Sequence, residues 1–221
     1  MKKTVLGLLL ALSMTSFVSC KDEAATPTSD AIEASVASDK AIAYKIDLEN
    51  SIVDWKGSKP TEFHTGTINL SAGEALIADG KLESGKFTLD MTSITVTDLK
   101  SGDGKEVLEG HLKGTGDKAK EDHFFNVGTY PTGEFEITNV SEENGKNMIT
   151  GNLTMKDVSK SITFPATITN DETSLTIKSE PFLIDRTLWN VNYASKTVFD
   201  DLKDKFVDDN IELVVNVKIK K

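Results

Sequence analysis

Cysteine is almost missing: Cys20 stands alone in 221 residues, so no disulfide within the chain can staple the fold. Histidine is nearly as scarce, and His64, His111 and His123 fall at no metal-ligand spacing and in no HExxH. No GxSxG elbow occurs. "GTGDKA" (114–119) has the letters of a GxGxxA loop but follows no strand of a βαβ unit, so it is not a dinucleotide site. "GDGKE" lacks the Ser/Thr of a P-loop, and the acidic clusters "DDLKD" and "VDDN" lack EF-hand spacing. No catalytic constellation, metal site or cofactor is therefore expected. Arginine is reduced to Arg186, all other basic residues being lysine, and acids outnumber bases for a net charge of −10. So negative a chain is poorly suited to nucleic acid, whose binding runs on Lys/Arg counterion release.

The one long apolar run is at the N-terminus. Lys2 and Lys3 precede "TVLGLLLALSM", of signal-peptide length and too short to span a bilayer. "FVSC" then resembles a bacterial lipobox, in which the cysteine thiol, a strong nucleophile, takes a diacyl lipid as a thioether. Residues 1–19 read as a lipoprotein signal peptide and Cys20 as the lipidation site. Cleavage there removes two of the 25 basic residues, leaving 23 against 35 acids, a net −12. Anionic lipid would repel such a chain, so the acyl chains must anchor it. Residues 21–41 carry no aromatic and no sustained apolar period. With Cys20 they read as a flexible tether, 20–42, with a random-coil reach on the order of 25 Å. "CKDE" resembles the surface-export signal of lipoproteins in one Gram-negative phylum, and is also ordinary tether composition. The expected location is the outer membrane, facing periplasm or cell surface.

From Tyr44 onward, short runs of Val, Ile, Thr and Phe alternate with Gly, Asn, Asp and Ser clusters. Val53 and Trp55 share a face, as do Phe87, Leu89 and Met91, and Phe135 and Ile137. Ile162, Phe164, Ala166 and Ile168 form another such set, and Ile211, Leu213, Val215, Val217 and Ile219 the last. Period two over so many segments means antiparallel sheet with one apolar and one wet face. Asn144-Gly145 between two such runs predicts a hairpin. Helix is expected at 104–114 with Val107, Leu108 and Leu112 inward, as a turn or two at "KAKEDHFF" (118–125), and at "TVFDDLKDKF" (197–206) with Phe199, Leu202 and Phe206 inward. The fold class is all-β: one domain, 43–221, of about eight antiparallel strands with short helical insertions. Its strands bury their apolar faces as a sandwich or a barrel. Large inward residues mixed with small ones such as Gly151 and Ala166 suit either a cavity or a filled core.

Three motifs then point to a family. "HLKGTGDKAKEDHFFNVGTYPTGEFEITNV", "ITGNLTMKDVSKSITFPATI" and "FLIDRTLWNV", in that order, resemble the YceI-like family, and "YKIDLENSIVDWKGSK" resembles its opening strands. The likeness covers about residues 43 to 220. It departs from the family at "TGDKAKED", a longer link than usual between "HL" and "FF", and at Asp157, where the family commonly has glycine. The resemblance implies a lipocalin-like eight-stranded barrel whose apolar cavity holds an amphiphile, typically a polyisoprenoid. Its inward lipid-binding wall would draw on Trp55, Phe63, Phe87, Leu89, Phe135, Ile137, Leu153, Phe164, Phe182 and Ile184. Arg186, His111 and Lys113 are the candidates for a polar head group, with an Arg186 ion pair to Asp185 or Asp209 as the structural alternative. His64 reads as a surface or cross-strand residue. The expected function is a membrane-anchored, non-enzymatic lipid carrier or store. The alternative is a surface β domain with a filled core that binds protein or glycan.

Overall fold

The computed structural model describes residues 25–116 and 122–221. The expected signal peptide and Cys20 lie outside the described residues, as do 118–121 of the "KAKEDHFF" segment. Eleven strands follow in chain order: β1 (Thr28–Asp30), β2 (Ile42–Lys45), β3 (Ile52–Ser58), β4 (Phe63–Ala78), β5 (Lys81–Val96), β6 (Thr132–Glu143), β7 (Lys146–Met155), β8 (Val158–Asn170), β9 (Ser174–Ser179), β10 (Phe182–Asp185) and β11 (Asn210–Lys220).

All eleven strands belong to one antiparallel sheet that closes on itself. β2 and β3 run one after the other along the same edge of β4, broken by a 3-10 turn at Leu48–Asn50. β9 and β10 share an edge of β11 in the same way. Counted as staves, the circuit β2/β3, β4, β5, β6, β7, β8, β9/β10, β11 has eight members. β11 closes it on β3, from Ile211 opposite Gly57 to Asn216 opposite Ile52. This is the eight-stranded antiparallel barrel expected.

The alternation in the sequence sets which side chains face the lumen. Val53, Ile68, Phe87, Ile137, Phe164 and Val217 are all buried on the inner face. The β6–β7 hairpin turns on Asn144 (φ 52°) and Gly145 (φ 78°), the positive-φ pair of a type I′ turn. At this end of the barrel Ile46, Ala75, Ile77, Leu175 and Ile219 are buried in the hydrophobic core. The opposite end carries the β3–β4 hairpin, the β5–β6 connection, the β7–β8 turn and the β10–β11 connection.

The helical insertions differ from expectation. One α-helix forms among the described residues, α1 (Lys105–Lys113). Leu108 and Leu112, four residues apart on one stripe, face the lumen. Val107, expected inward, lies about 100° round the helix and is 78% exposed. Residues 122–125 form no helix. At 197–206 only a 3-10 turn forms, Lys203–Lys205, with Phe199 exposed. Asp200 and Asp204, four apart, repel on a helix face, and Asp201 and Lys203 take positive φ there.

The tether also departs from expectation. From Ala25 onward it is laid against the barrel wall. β1 pairs with β8, Thr28 opposite Ile162 and Asp30 opposite Lys160. Thr26 N–H donates to Leu183 O of β10 at 2.7 Å, so β1 fills the seam where β8 and β10 diverge. The chain then crosses the outside of the barrel. Ile32 N–H donates to Asn152 Oδ1 (3.0 Å) and Asn152 Nδ2 returns a bond to Ile32 O (2.7 Å). Ser35 Oγ donates to Thr138 O and Ser38 N–H to Glu83 Oε2, both at 2.7 Å. Asn152, Ser161 and Thr138 are consequently buried although two of them belong to the outward face of their strands. A buried amide needs partners, and this strap supplies them for Asn152; a polar, aromatic-free composition concealed that pairing.

Candidate functional site

Inside the barrel, two cavities of about 120 and 60 Å³ lie end to end and share Val53, Leu89, Leu153 and Leu213. Their walls are almost wholly carbon. The deeper one is bounded by Leu70, Phe87, Phe135, Phe164, Phe182 and Val217, and the outer one by Trp55, Met91, Ile94, Met155 and Ile184. Leu108 and Leu112 of α1, with Phe124 and Phe125, roof the outer cavity. Ser58, Lys59, His64 and Val207 mark where it reaches the surface.

Large aromatic rings would fill such a lumen if they projected across it. Three of them lie along the wall instead, each over a glycine on the next strand. Trp55 sits directly opposite Gly66, and a Cβ at Gly66 would stand 2.4 Å from Trp55 Cζ2. Phe87 faces Gly73, where a Cβ would come within 2.9 Å of the ring. Phe135 covers Gly151, with Cζ 2.4 Å from the same hypothetical atom. Real Cβ atoms do not approach carbon so closely, so the flat ring placement depends on glycine at these positions. On β8 and β10, Phe164 and Phe182 stack at 4.4 Å with planes 4° apart, bridging on the inside the seam that β1 fills on the outside.

Nine of the ten residues expected to form the wall, namely Trp55, Phe87, Leu89, Phe135, Ile137, Leu153, Phe164, Phe182 and Ile184, line one cavity or both. Phe63 does not. Gly66, Ile68 and Leu70 set the inward parity of β4, so Phe63 points outward, 55% exposed, with Lys56 Nζ 5.1 Å from its ring centroid. His64 takes the inward place. Met91, Leu108 and Leu112, expected inward but not among the ten, also line the outer cavity. Ile94, Met155, Phe124 and Phe125 were not expected there, the first two being inward positions on strands and the last two coming from a connection without periodicity.

The three head-group candidates are not gathered into one site. Arg186 borders the outer cavity but is 1% exposed and committed to backbone. Nε donates to Asp208 O (2.9 Å), one terminal nitrogen to Val191 O, and the other to Tyr193 O and Val207 O (2.9 Å each). Asp209 lies 3.6 Å away, so the ion-pair alternative holds for Asp209. Burial pulls the guanidinium below its usual pKa, while Asp209, Asp185 and Asp208 oppose that shift. Arg186 thus clamps the β10–β11 connection. His111 is bonded to His123, Nε2 to Nδ1 at 2.9 Å, and its ring packs edge-on against Tyr193 and Phe124. Lys113, at the end of α1, lies off the lining.

Two polar groups on the lumen wall stand out. His64 Nδ1 is 2.9 Å from Asp98 Oδ2, and Thr65 N–H holds Asp98 Oδ1 at 2.9 Å. Burial opposes ionisation of Asp98, but those two bonds leave its carboxyl below the usual range. Trp55 Nε1 is buried with no acceptor among the described residues. Among those residues no group of three or more His, Cys, Asp or Glu side chains is placed to hold a metal ion, and no helix is long and apolar enough to cross a membrane.

A closed antiparallel barrel around a carbon-lined lumen defines the lipocalin-like class of β-barrels. Residues 44–219 match the YceI-like domain, and the chain belongs to the YceI-like family. Its sequence is 30% identical over 135 residues to a UPF0312 protein of Pseudomonas putida, a match covering 59% of this chain and 64% of that relative. Its fold is shared with Burkholderia cenocepacia BcnA (TM-score 0.59, 20% identity, 78% of this chain and 98% of that one). It is shared too with a polyisoprenoid-binding domain from Saccharophagus degradans implicated in plant cell wall breakdown (TM-score 0.55, 14% identity, 80% and 97%).

Proposed function

We propose that this protein binds an amphiphile of polyisoprenoid or fatty-acyl type in the barrel lumen and serves as its carrier or store. The observation that carries the reading is the open, carbon-lined lumen, kept clear by aromatic rings lying flat over Gly66, Gly73 and Gly151. Burying a hydrocarbon chain there gains about 0.8 kcal/mol per methylene, and only the head group needs polar partners. Family membership and the polyisoprenoid-binding neighbour support the same ligand class. In this reading the protein acts by binding alone, with no catalytic step. Organic extraction of the purified protein followed by mass spectrometry tests the reading. A prenyl or acyl species near one per chain is expected; a filled core that binds protein or glycan would give none.

The membrane anchor belongs to the same proposal: diacylated Cys20 in the outer membrane holds the domain at the periplasmic or cell-surface face. Because the chain is pinned to the barrel wall from Ala25 onward, five residue steps separate it from Cys20, a reach of at most about 17 Å. An anchored barrel would then rest against the bilayer, within range of lipid exchange. Radiolabelled palmitate should enter the wild-type protein in cells and not a Cys20→Ser variant.

A further inference from the structure

We propose that His64 is the head-group acceptor of the cavity, and that the recess it shares with Gly57 and Trp55 takes an amphiphile ending in a hydroxyl. The inference rests on the lumen being a ligand site and names the chemistry of its polar end.

The pairing of β3 with β4 places Trp55 opposite Gly66 and Gly57 opposite His64. Four inward positions thus form a square with rings on one diagonal and glycines on the other; the Trp55 ring covers the Gly66 corner, and the Gly57 corner is left open. A Cβ at Gly57 would meet only Ile211 Cγ2, at 4.0 Å, so the wall beside His64 is open space. Diagonal partners on adjacent strands lie within reach of long or aromatic side chains, and a group lodged in the recess is held between the two rings.

Hydrogen-bonding chemistry selects that group. The ionised Asp98 carboxylate only accepts, so His64 Nδ1 carries the proton that joins them. A neutral His64 ring then presents Nε2 as an acceptor, and no described residue donates to it. An ether or a bare hydrocarbon has no proton to offer. A phosphate or carboxylate needs donors, but Arg186 is committed to backbone carbonyls and Lys59, beside His64 at the mouth, is paired with Glu62 at 2.8 Å. A hydroxyl supplies the proton Nε2 lacks and also offers lone pairs on the wall where Trp55 Nε1 has no acceptor. Asp98 is the positioning residue that fixes the tautomer.

Farnesol and farnesyl methyl ether, of equal chain length, separate these terms by displacing N-phenyl-1-naphthylamine from the purified protein at neutral pH. The wild type should prefer the alcohol by about fivefold to tenfold, one hydrogen bond's worth. His64→Phe should abolish the preference, the ratio of alcohol to ether affinity falling to about one. In Asp98→Asn the amide can donate to Nδ1, moving the proton to Nε2, and the preference should fall with no loss of ether binding; imidazole 15N shifts should report the change of tautomer. Equal affinity for both probes in the wild type, or a preference that survives His64→Phe, overturns the recess and leaves the lumen reading intact. Failure of both probes to displace the dye overturns the lumen reading as well.

Discussion

The indole of Trp55 occupies the space that a side chain at Gly66 would need, with Cζ2 2.4 Å from the Cβ position of its cross-strand neighbour. The same arrangement recurs at Phe87 over Gly73 and at Phe135 over Gly151. It turns three bulky residues into wall rather than filling. Gly151→Ala should therefore drive the Phe135 ring toward the lumen, destabilise the barrel by about 1–3 kcal/mol and weaken dye uptake. Glu136 O, 2.6 Å from the new Cβ, adds backbone strain. Adding Phe135→Leu should recover part of the loss, as a double-mutant cycle in urea would measure; additive effects would mean that the ring does not depend on the glycine.

The β7–β8 turn is built without glycine, Lys156 (φ 46°) and Asp157 (φ 60°) both holding left-handed backbone. Asp157→Gly should stabilise the protein by about 0.5–1 kcal/mol, since glycine takes that conformation freely. Lys156 is different: its buried Nζ bonds Asp122 Oδ1 (2.6 Å) and Asn190 O (3.0 Å). Lys156→Ala should cost about 1–3 kcal/mol. Opposite signs for the two variants in chemical denaturation check the assignment.

The strap makes a local prediction. Ile32 N–H should exchange with solvent more slowly than an exposed amide, because Asn152 Oδ1 accepts it. Asn152→Ala should remove that protection and destabilise the strap, and hydrogen exchange read by NMR would show both. Fast exchange at Ile32 in the wild type would mean that the strap is not docked.

Asp171 caps the β8–β9 turn. The N–H groups of Thr173 and Ser174 and the hydroxyls of both residues lower its pKa from 3.8 to about 2. A carboxyl depressed by folding contributes stability that is present above its unfolded pKa and lost as pH falls through the folded one. Wild type should lose stability between about pH 4 and 2, and Asp171→Asn should lose less over that window. Identical pH profiles would show that the cap contributes nothing.

The barrel was legible because alternation along β3, β5, β6, β8 and β11 is strong and parity carries each inward residue with it. Phe63 was misplaced because it stands at the first residue of β4, where parity is fixed by Gly66, Ile68 and Leu70 further along. The strap was illegible since its bonds join residues as far apart as Ile32 and Asn152, and nothing in "TPTSDAIEASVASD" marks an interface. A lone arginine draws attention to ligand charge, yet Arg186 serves the carbonyls of a connection that holds only short 3-10 turns. The expectation of a surface or cross-strand His64 agrees with its bond to Asp98; that His64 also borders the lumen follows only from the register of β3 on β4.

Lipid binding in the barrel requires a lumen that is dry, open at one end and large enough for an oily guest. Titration with N-phenyl-1-naphthylamine, comparing wild type with Leu213→Trp at the junction of the two cavities, tests it most directly. Fluorescence enhancement should saturate near one dye per chain and be lost when the tryptophan fills the junction in a folded protein. No enhancement in the wild type, or equal enhancement in a folded Leu213→Trp, would contradict it.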